Sequence, residues 1–343
     1  MLPWWIIFLP RRKGVHPYFG PPSRPYGGPD VKLRHLKKRF GNNLWPNLIY
    51  VVTGKPLPLA FIRLARKKKL PVILNQNGVY FPAWYPRGYE KKNELMRRMH
   101  ELSDYVIYQS RFCQDASQRW VSPPIRKHSI LYNAVDTSHY SPAPPPALPL
   151  RILASSYFNQ SNGYVLGHVL RTVRYLNDQG LQAKLLIAGK IEGGKAHTLP
   201  NWVIDLIHQT EMKDNVTYLG WYDQKEAPLY YRQAHLLLHV KYMDPCPSTV
   251  LEAMACGLPV VYSASGGTPE LVGPAGEGVP VDFTYEHIQL PSIEALGAAI
   301  QRVWMKRNDL STLARERAAS EFSIDRWFQT HQQLFAQVLS ESR

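Results

Sequence analysis

The sequence has 343 residues, 45% apolar and 20% charged, which excludes a largely disordered chain and gives enough length for two ordinary domains. Cys113, Cys246 and Cys256 form no CxxC pair and no zinc-ligand spacing, so we expect reduced thiols in a cytoplasmic protein. No apolar run approaches the roughly 20 residues that span a bilayer, so we do not expect an integral membrane protein.

The positive charge lies in one half of the chain. Residues 1–150 contain 24 Lys and Arg against 7 Asp and Glu, whereas residues 151–343 contain 17 against 19. This asymmetry predicts an anionic partner for the first half: an acidic membrane surface, an anionic glycan or lipid acceptor, or nucleic acid. The basic residues lack RNA-binding aromatic signatures, so we expect no nucleic acid. A peripheral contact with an anionic membrane explains the charge more simply.

Apolar runs alternate with amphipathic stretches along the first half. We predict strands at 4–9, 48–52, 71–74, 105–108 and 129–131. We predict helices at 31–40, 59–69, 91–102 and 113–120. Alternation of strands and helices is typical of a parallel sheet covered by helices.

Five prolines at 141–149 then interrupt the pattern, which predicts a stiff connector and a domain boundary near residue 145. The alternation resumes in the second half. We predict strands at 151–154, 183–188, 216–219, 236–240, 260–262 and 278–281. We predict helices at 163–177, 202–210, 227–233, 248–256, 293–306, 310–322 and 326–339. The expected α/β fold has two doubly wound Rossmann-like domains, 1–145 and 146–343, facing a central cleft, and the last helix is expected to cross back to the first domain.

The stretch 244–261 contains the main candidate site. It follows an apolar strand and opens a helix at Ser248, an expected N-cap, with first-turn amides that suit a phosphate. Gly257 is expected to end this helix. Asp244 and Glu252 flank the expected phosphate site and suit the hydroxyls of a sugar and a ribose. A plain strand–turn–helix with two solvated acidic residues has the same spacing. The spacing alone therefore does not distinguish a ligand site from an ordinary turn.

Residues 252–261, Glu-Ala-Met-Ala-Cys-Gly-Leu-Pro-Val-Val, followed by Ser-Gly-Gly-Thr-Pro-Glu at 265–270, closely resemble the sugar-donor motif of the family 4 retaining glycosyltransferases, which have the GT-B fold. The resemblance implies that Glu252 holds the nucleotide ribose. It implies that Asp244, shorter than the usual Glu, contacts the donor sugar. The residues implied around the phosphates are Cys246, Pro247, Ser248, Thr249 and Val250.

Other segments are similar to the same family. Gly27 and Gly28 resemble the Gly-Gly loop near the donor phosphate and the acceptor, although two glycines also suit an ordinary turn. Asn77 stands where many members have a His near the reaction centre, and it keeps a hydrogen-bond donor. Trp221 and Tyr222 lie where the family surrounds the nucleotide base, and either ring also suits a core position.

One departure concerns positive charge. Many members have an Arg and a Lys after the first strand of the second domain, but here that stretch runs from Ser155 to Gly163 without either, and Asn162 replaces the Lys. A departing diphosphate needs electrostatic stabilisation. Lys190, at the end of the neighbouring strand, is the substitute cation.

The resemblance implies a hexosyltransferase that moves a sugar, with retention, from a nucleotide diphosphate donor, commonly a UDP-sugar, to a glycan or lipid-linked acceptor. Cell-surface polysaccharide or lipopolysaccharide synthesis is the implied setting, and the inner face of the membrane the implied place. We expect no cofactor and no metal, because the sequence contains no Asp-x-Asp motif. The alternative is a protein of this fold that binds nucleotide sugars with weak or no catalysis.

Overall fold

The computed structural model describes residues 3–10, 12–21, 28–123 and 127–342. The chain forms two compact units. Unit 1 combines Met1–Asn133, Thr284–Ile288 and Ile324–Arg343, and unit 2 combines Ala134–Phe283 and Gln289–Ser323. Across the described ranges, none of the helices combines the length and the hydropathy that a bilayer-spanning segment needs.

Unit 1 contains a parallel five-stranded sheet whose strands lie in sequence order. Its strands are β1 (Pro17–Tyr18), β2 (Leu48–Val52), β3 (Val72–Gln76), β4 (Tyr105–Tyr108) and β5 (His128–Ile130). Its helices are α1 (Gly28–Phe40), α2 (Leu59–Lys67), α3 (Tyr89–Glu101), α4 (Arg111–Trp120) and α12 (Ile324–Glu341). Every residue of β2, β3 and β4 is buried, which explains why β2, β4 and the first three residues of β3 are continuous apolar runs rather than alternating ones.

The C-terminal helix α12 belongs to unit 1 and contributes aromatic side chains to its core. Phe335 is fully buried and packs edge-on against Tyr50 of β2. His331 is also fully buried, and its Nε2 lies 3.1 Å from the Tyr50 hydroxyl. Burial lowers the pKa of His331 to about 3, so its ring is neutral in the folded protein.

Unit 2 contains a parallel six-stranded sheet in the order β11-β10-β9-β6-β7-β8. Its strands are β6 (Leu150–Ser155), β7 (Ala183–Ala188), β8 (Val216–Gly220), β9 (Leu236–His239), β10 (Val260–Ser263) and β11 (Gly276–Val279). Its helices are α5 (Tyr164–Asp178), α6 (Asn201–Gln209), α7 (Ala227–Tyr231), α8 (Ser248–Ala255), α9 (Thr268–Val272), α10 (Ile293–Met305) and α11 (Arg307–Glu321). The strand order reverses between β6 and β9, and ligands of such sheets bind at the carboxyl ends beside this switch point.

The expected first strand at 4–9 is wrong, because Trp4–Phe8 forms a short 3₁₀ helix. In a strand, Ile6 and Ile7 would point to opposite faces, yet both are buried while Trp5 and Phe8 are exposed. The edge strand is instead the short β1.

The Pro-rich segment at 141–149 lies inside unit 2, which begins at Ala134. Arg232, at the end of α7, donates from Nε to the Ser141 carbonyl oxygen at 2.8 Å and from Nη2 to the Ser141 hydroxyl at 2.7 Å. These contacts hold the start of the segment against unit 2.

Candidate active site

The loop after β9 lies at the switch point of unit 2 and contains the first candidate acid. Asp244 is mostly buried, and its Oδ2 accepts from Lys241 Nζ at 2.8 Å. Burial alone would raise the pKa of Asp244, but Lys241 and then His239 more than offset it, so the pKa is below its usual value. Asp244 is therefore ionised and paired with a cation that the sequence reading missed, although Lys241 is only three residues away.

The loop after β9 is hydrogen-bonded to the start of α5 on one side and to the loop after β10 on the other. The Tyr242 amide donates to the hydroxyl of Tyr164, the first residue of α5, at 3.3 Å. The Met243 amide donates to Ser265 Oγ at 3.0 Å, and the Gly267 amide donates to the Asp244 carbonyl oxygen at 2.8 Å. These bonds fix the position of Asp244 from two sides.

Gly266 makes this close approach of two loops possible. Its φ is +68°, a left-handed conformation that favours glycine. A Cβ at this position would lie 2.5 Å from the Asp244 carbonyl oxygen. A side chain here would therefore push the Asp244 loop away.

Two buried polar atoms beside the loop have no hydrogen-bond partner within the part of the chain that the structure describes, namely His239 Nε2 and Thr268 Oγ1. Buried polar groups normally have partners, so unsatisfied ones at a sheet edge fit a ligand site. Burial lowers the pKa of His239 to about 4, so its ring is neutral and can accept or donate one hydrogen bond.

Helix α8 begins at Ser248, so the predicted N-cap role of Ser248 is wrong. Pro247 is the N-cap residue, and no side chain caps the helix. The first-turn amides of Ser248 and Thr249 are thus not covered by a capping side chain, as a phosphate site requires. Cys246 and Pro247 are buried beneath this turn, and Val250 is fully buried, its amide directed to the Pro247 carbonyl at 3.2 Å.

The C-terminus of α8 ends as predicted at Gly257, whose φ is +78°. The Leu258 amide donates to the Ala253 carbonyl and the Gly257 amide to the Met254 carbonyl, both at 2.9 Å, which is a Schellman motif. This fixed helix end holds the acidic residue of α8 in place.

Glu252, one turn inside α8, is partly buried and bonded to a tyrosine. The buried Tyr231 hydroxyl donates to Glu252 Oε2 at 2.7 Å. Burial raises the pKa of Glu252 to about 7, and the hydrogen bond from the Tyr231 hydroxyl only partly offsets this. The carboxyl group therefore changes charge close to neutral pH.

Four further predicted residues lie around Glu252 or the neighbouring strand ends. The hydroxyls of Ser155, at the end of β6, and Tyr222, after β8, lie 2.6 Å apart. The Tyr222 ring lies 4.8 Å from that of Tyr230, and burial followed by the charge of Glu252 raises the pKa of Tyr222 to about 12. Lys190 Nζ lies 4.8 Å from the Trp221 ring centroid, so the predicted cation and the predicted base-stacking ring are neighbours.

Asn162 has a local structural role. Its Oδ1 accepts from the Asn159 amide at 2.7 Å, and its Nδ2 donates to the Tyr157 carbonyl oxygen at 2.9 Å. Both polar atoms of the side chain thus stabilise the turn after β6.

Unit 1 contains a second polar cluster, at the carboxyl ends of β3 and β4. Asn77 Oδ1 accepts from the buried Lys32 Nζ at 3.0 Å, and the Asn77 amide donates to Thr53 Oγ1 at 3.0 Å. Lys32 also donates to Asn75 Oδ1 at 2.8 Å and contacts Gln109 Oε1 at 3.5 Å. Sequence reasoning missed Lys32, because its place in a helix rich in basic residues resembles a solvated face.

Of the two predicted loop glycines, Gly27 lies outside the described residues. Gly28 is the first residue of α1, and a Cβ there would meet nothing within 4 Å. Gly54 is more confined, since a Cβ there would lie 2.6 Å from Pro29 Cγ and 3.2 Å from Asn77 Nδ2. The close approach of the Asn77 side chain and Pro29 to the backbone of residue 54 thus depends on a glycine there. Gly54 was not among the residues predicted from the sequence.

Two family descriptions match the chain: Glycosyltransferase Family 4 over residues 8–139 and Glycosyl transferases group 1 over residues 164–317. The amylovoran biosynthesis glycosyltransferase of Erwinia amylovora is 32% identical over 130 residues, 36% of this chain and 30% of that protein. The D-inositol 3-phosphate glycosyltransferase of Mycolicibacterium smegmatis is 32% identical over 99 residues, 29% of this chain and 23% of that protein. The matches thus span less than half the length of these relatives.

Solved structures resemble nearly the whole chain. Sucrose-phosphate synthase from Thermosynechococcus elongatus has a TM-score of 0.67 at 20% identity, covering 91% of this chain and 78% of that one. Anabaena HepE in complex with UDP-glucose has a TM-score of 0.65 at 17% identity, covering 90% and 89%. At these identities the likeness shows the fold, and it confirms the predicted GT-B fold class.

Proposed function

Because the chain belongs to the group 1 glycosyltransferases of family 4, we propose that it transfers a hexose from a nucleotide diphosphate sugar to a glycan or lipid-linked acceptor. The observation that carries this proposal is that two acidic residues flank the start of α8, which no side chain caps. Asp244 precedes the helix and is ionised and bonded to Lys241, and Glu252 lies one turn inside the helix and is bonded to Tyr231. Cell-surface polysaccharide synthesis is the setting we propose, since the names of several relatives refer to it.

In the proposed binding mode, Glu252 accepts hydrogen bonds from the ribose hydroxyls, and Asp244 accepts from hydroxyls of the donor sugar. The amides of Ser248 and Thr249 face the diphosphate. We propose a UDP-sugar as donor, supported by the structural neighbour that was crystallised with UDP-glucose. Trp221, with Lys190 above its ring, is the proposed stacking surface for the base.

The proposed reaction retains the anomeric configuration. The bond between the anomeric carbon and the diphosphate oxygen breaks, and the acceptor hydroxyl oxygen forms the new bond on the same face. The acceptor proton passes to the departing diphosphate oxygen. We propose that helix amides and nearby cations, rather than a metal or a cofactor, stabilise the leaving group. Lys241 and Lys190 supply charge where the usual Arg and Lys after β6 are missing.

In unit 1, we propose that Asn77 and the backbone at Gly28 contact the acceptor. Lys32 and Thr53 hold Asn77 by its side chain and its amide. The excess of basic residues in the first half supports a peripheral contact with an anionic membrane at its inner face, where lipid-linked acceptors are found.

The test is release of nucleoside diphosphate from a panel of UDP- and GDP-sugars, with and without lipid-linked glycan acceptors. We expect turnover with one donor class, and a kcat/KM that is roughly 10- to 100-fold lower in Asp244→Asn. Tight donor binding without turnover across the panel would instead support the non-catalytic alternative, which the occupied side chain of Asn162 favours. No binding of any nucleotide sugar would refute both.

A further inference from the structure

The 3₁₀ turn Trp4–Phe8 presents large apolar side chains to solvent. Ile6 and Ile7 are buried and fix the turn to unit 1, and Trp4 packs edge-on against Phe61 of α2, with ring centroids 5.5 Å apart. The outward side chains are Trp4, Trp5 and Phe8, which remain 42%, 54% and 60% exposed. Exposed clusters of large apolar side chains on a folded protein mark interaction sites.

The exposed side of α2 next to this turn is basic. Arg63, Lys67 and Lys68 are all exposed, and Lys68 Nζ lies 5.1 Å from the Phe8 ring centroid. Residues 1–89 of the sequence contain sixteen Lys and Arg but a single acidic residue, Asp30, which forms an ion pair with Lys55. We call Trp4, Trp5, Phe8, Arg63, Lys67 and Lys68 the docking face.

A second aromatic–cation pair continues this surface. The Trp45 indole N–H donates to the Pro10 carbonyl, just beyond the 3₁₀ turn, and the Arg12 guanidinium lies 4.2 Å from the Trp45 ring centroid. The neighbouring Leu44 is 54% exposed. Aromatic, aliphatic and basic side chains therefore occur together along this part of unit 1.

We infer that the docking face binds the surface of an anionic lipid bilayer, with Trp5 and Phe8 entering the headgroup region. Tryptophan is enriched at membrane–water interfaces, and Lys and Arg extend along apolar surface while their charges remain with the lipid phosphates. Neither contribution alone gives stable attachment, whereas apolar insertion and basic charge together do. This specifies the membrane contact within the proposed function, but it does not depend on catalytic turnover.

An anionic glycan is the competing partner, and two observations favour the lipid. The aromatic side chains project from one turn of helix, a shape that a fluid headgroup layer accommodates. Carboxylate and amide side chains, which can bond two neighbouring sugar hydroxyls at once, are also absent from residues 1–29, since these contain no Asp, Glu, Asn or Gln.

The experiment measures sedimentation of the full chain with phosphatidylcholine vesicles containing 0, 20 or 40% phosphatidylglycerol, at low salt. The variants are Trp5→Ser/Phe8→Ser and Lys67→Glu/Lys68→Glu. Their controls in unit 2 are Phe283→Ser, which removes a 64%-exposed aromatic ring, and Lys195→Glu/Lys306→Glu, which makes the same two charge reversals at exposed positions. Circular dichroism checks folding, and binding of UDP-glucose is measured separately.

We expect binding that rises with phosphatidylglycerol content. Since each basic residue near the surface contributes about fivefold, loss of the two positive charges alone should weaken binding on the order of 30-fold, and the two added negative charges should weaken it further. The aromatic variant should bind at least about tenfold more weakly, and the controls should match wild type. The inference is overturned by equal losses in the controls, by an unaffected aromatic variant, or by binding to heparin but not to vesicles. If UDP-glucose binding persists in all variants, a loss of vesicle binding reflects the docking face and not damage to the donor site.

Discussion

The Tyr231 hydroxyl donates a 2.7 Å hydrogen bond to Glu252 Oε2 across 21 residues of sequence. Tyr231 ends α7, which precedes β9, whereas Glu252 lies in α8, which follows it. The bond uses one carboxylate oxygen and leaves Oε1 for a ligand. It also favours the charged form of a carboxyl group whose pKa burial raises to about 7.

The first prediction concerns Tyr231→Phe. Loss of the hydroxyl removes a bond to the carboxylate, so the pKa of Glu252 should rise by about one unit. If ionised Glu252 binds the ribose, the pH midpoint of UDP-sugar binding should move upward by the same amount, measured by calorimetry from pH 5.5 to 9. Tyr230→Phe, whose hydroxyl donates to the Trp221 carbonyl at 3.4 Å, is the matched control. An unshifted pH midpoint in Tyr231→Phe would show that ionisation of Glu252 does not control UDP-sugar binding.

The second prediction concerns Glu252→Gln. The folded pKa lies above the unfolded value of 4.5, so the folded protein favours the neutral acid, and this stabilisation is complete below 4.5 and lost as the pH rises through 7. The loss amounts to about 3 kcal/mol. The uncharged Gln should therefore give a higher Tm than wild type at pH 8 and a similar Tm at pH 4.

The same substitution should weaken UDP-sugar binding, because Gln is a poorer acceptor for ribose hydroxyls than a carboxylate. Increased stability together with reduced affinity is characteristic of a functional residue. Glu226→Gln, at an exposed position, should change neither quantity. A Glu252→Gln protein that binds donors as wild type does would contradict the proposed role.

The third prediction concerns the Lys241–Asp244 pair. Lys241→Met leaves a mostly buried carboxylate without its principal cation, so the pKa of Asp244 should rise and kcat/KM should fall by roughly 10- to 100-fold. Asp244→Asn should have a similar effect, and the double variant should be less than additive. Kinetics of nucleoside diphosphate release measure all three, with Lys195→Met as a control at an exposed position. Additive losses would show that the two residues act independently.

The fourth prediction compares two glycines with positive φ. Gly266→Ala introduces a Cβ 2.5 Å from the Asp244 carbonyl oxygen, whereas Gly180→Ala, at φ +84°, meets nothing within 4 Å. Gly180→Ala should lower the free energy of unfolding by about 1 kcal/mol, and Gly266→Ala by about 2–4 kcal/mol. Urea denaturation measures both. Donor binding should decline only in Gly266→Ala. An equal decrease in the free energy of unfolding in both variants would show that the backbone conformation alone, and not the clash with the Asp244 loop, destabilises the protein.

Much of the fold follows from the sequence, because buried parallel strands appear as short apolar runs. The strands at 48–52, 105–108 and 183–188 have the predicted bounds. The run at 4–9 fails for a physical reason: a single turn of 3₁₀ helix buries two adjacent isoleucines, which apolarity alone does not distinguish from a strand. Pro17–Tyr18 escapes prediction because two residues show no periodicity.

By itself the sequence determined the strand–helix alternation, the helix with Glu252 and Gly257, and the basic excess of the first half, because these depend on residues close together in the chain. Only the tertiary structure decided which side chains meet. It placed Tyr231 on Glu252, Ser155 beside Tyr222 and Lys190 over Trp221. The contacts of Ser155 and Lys190 depend on β6, β7 and β8 lying side by side in the sheet, an order that hydrophobic periodicity does not encode.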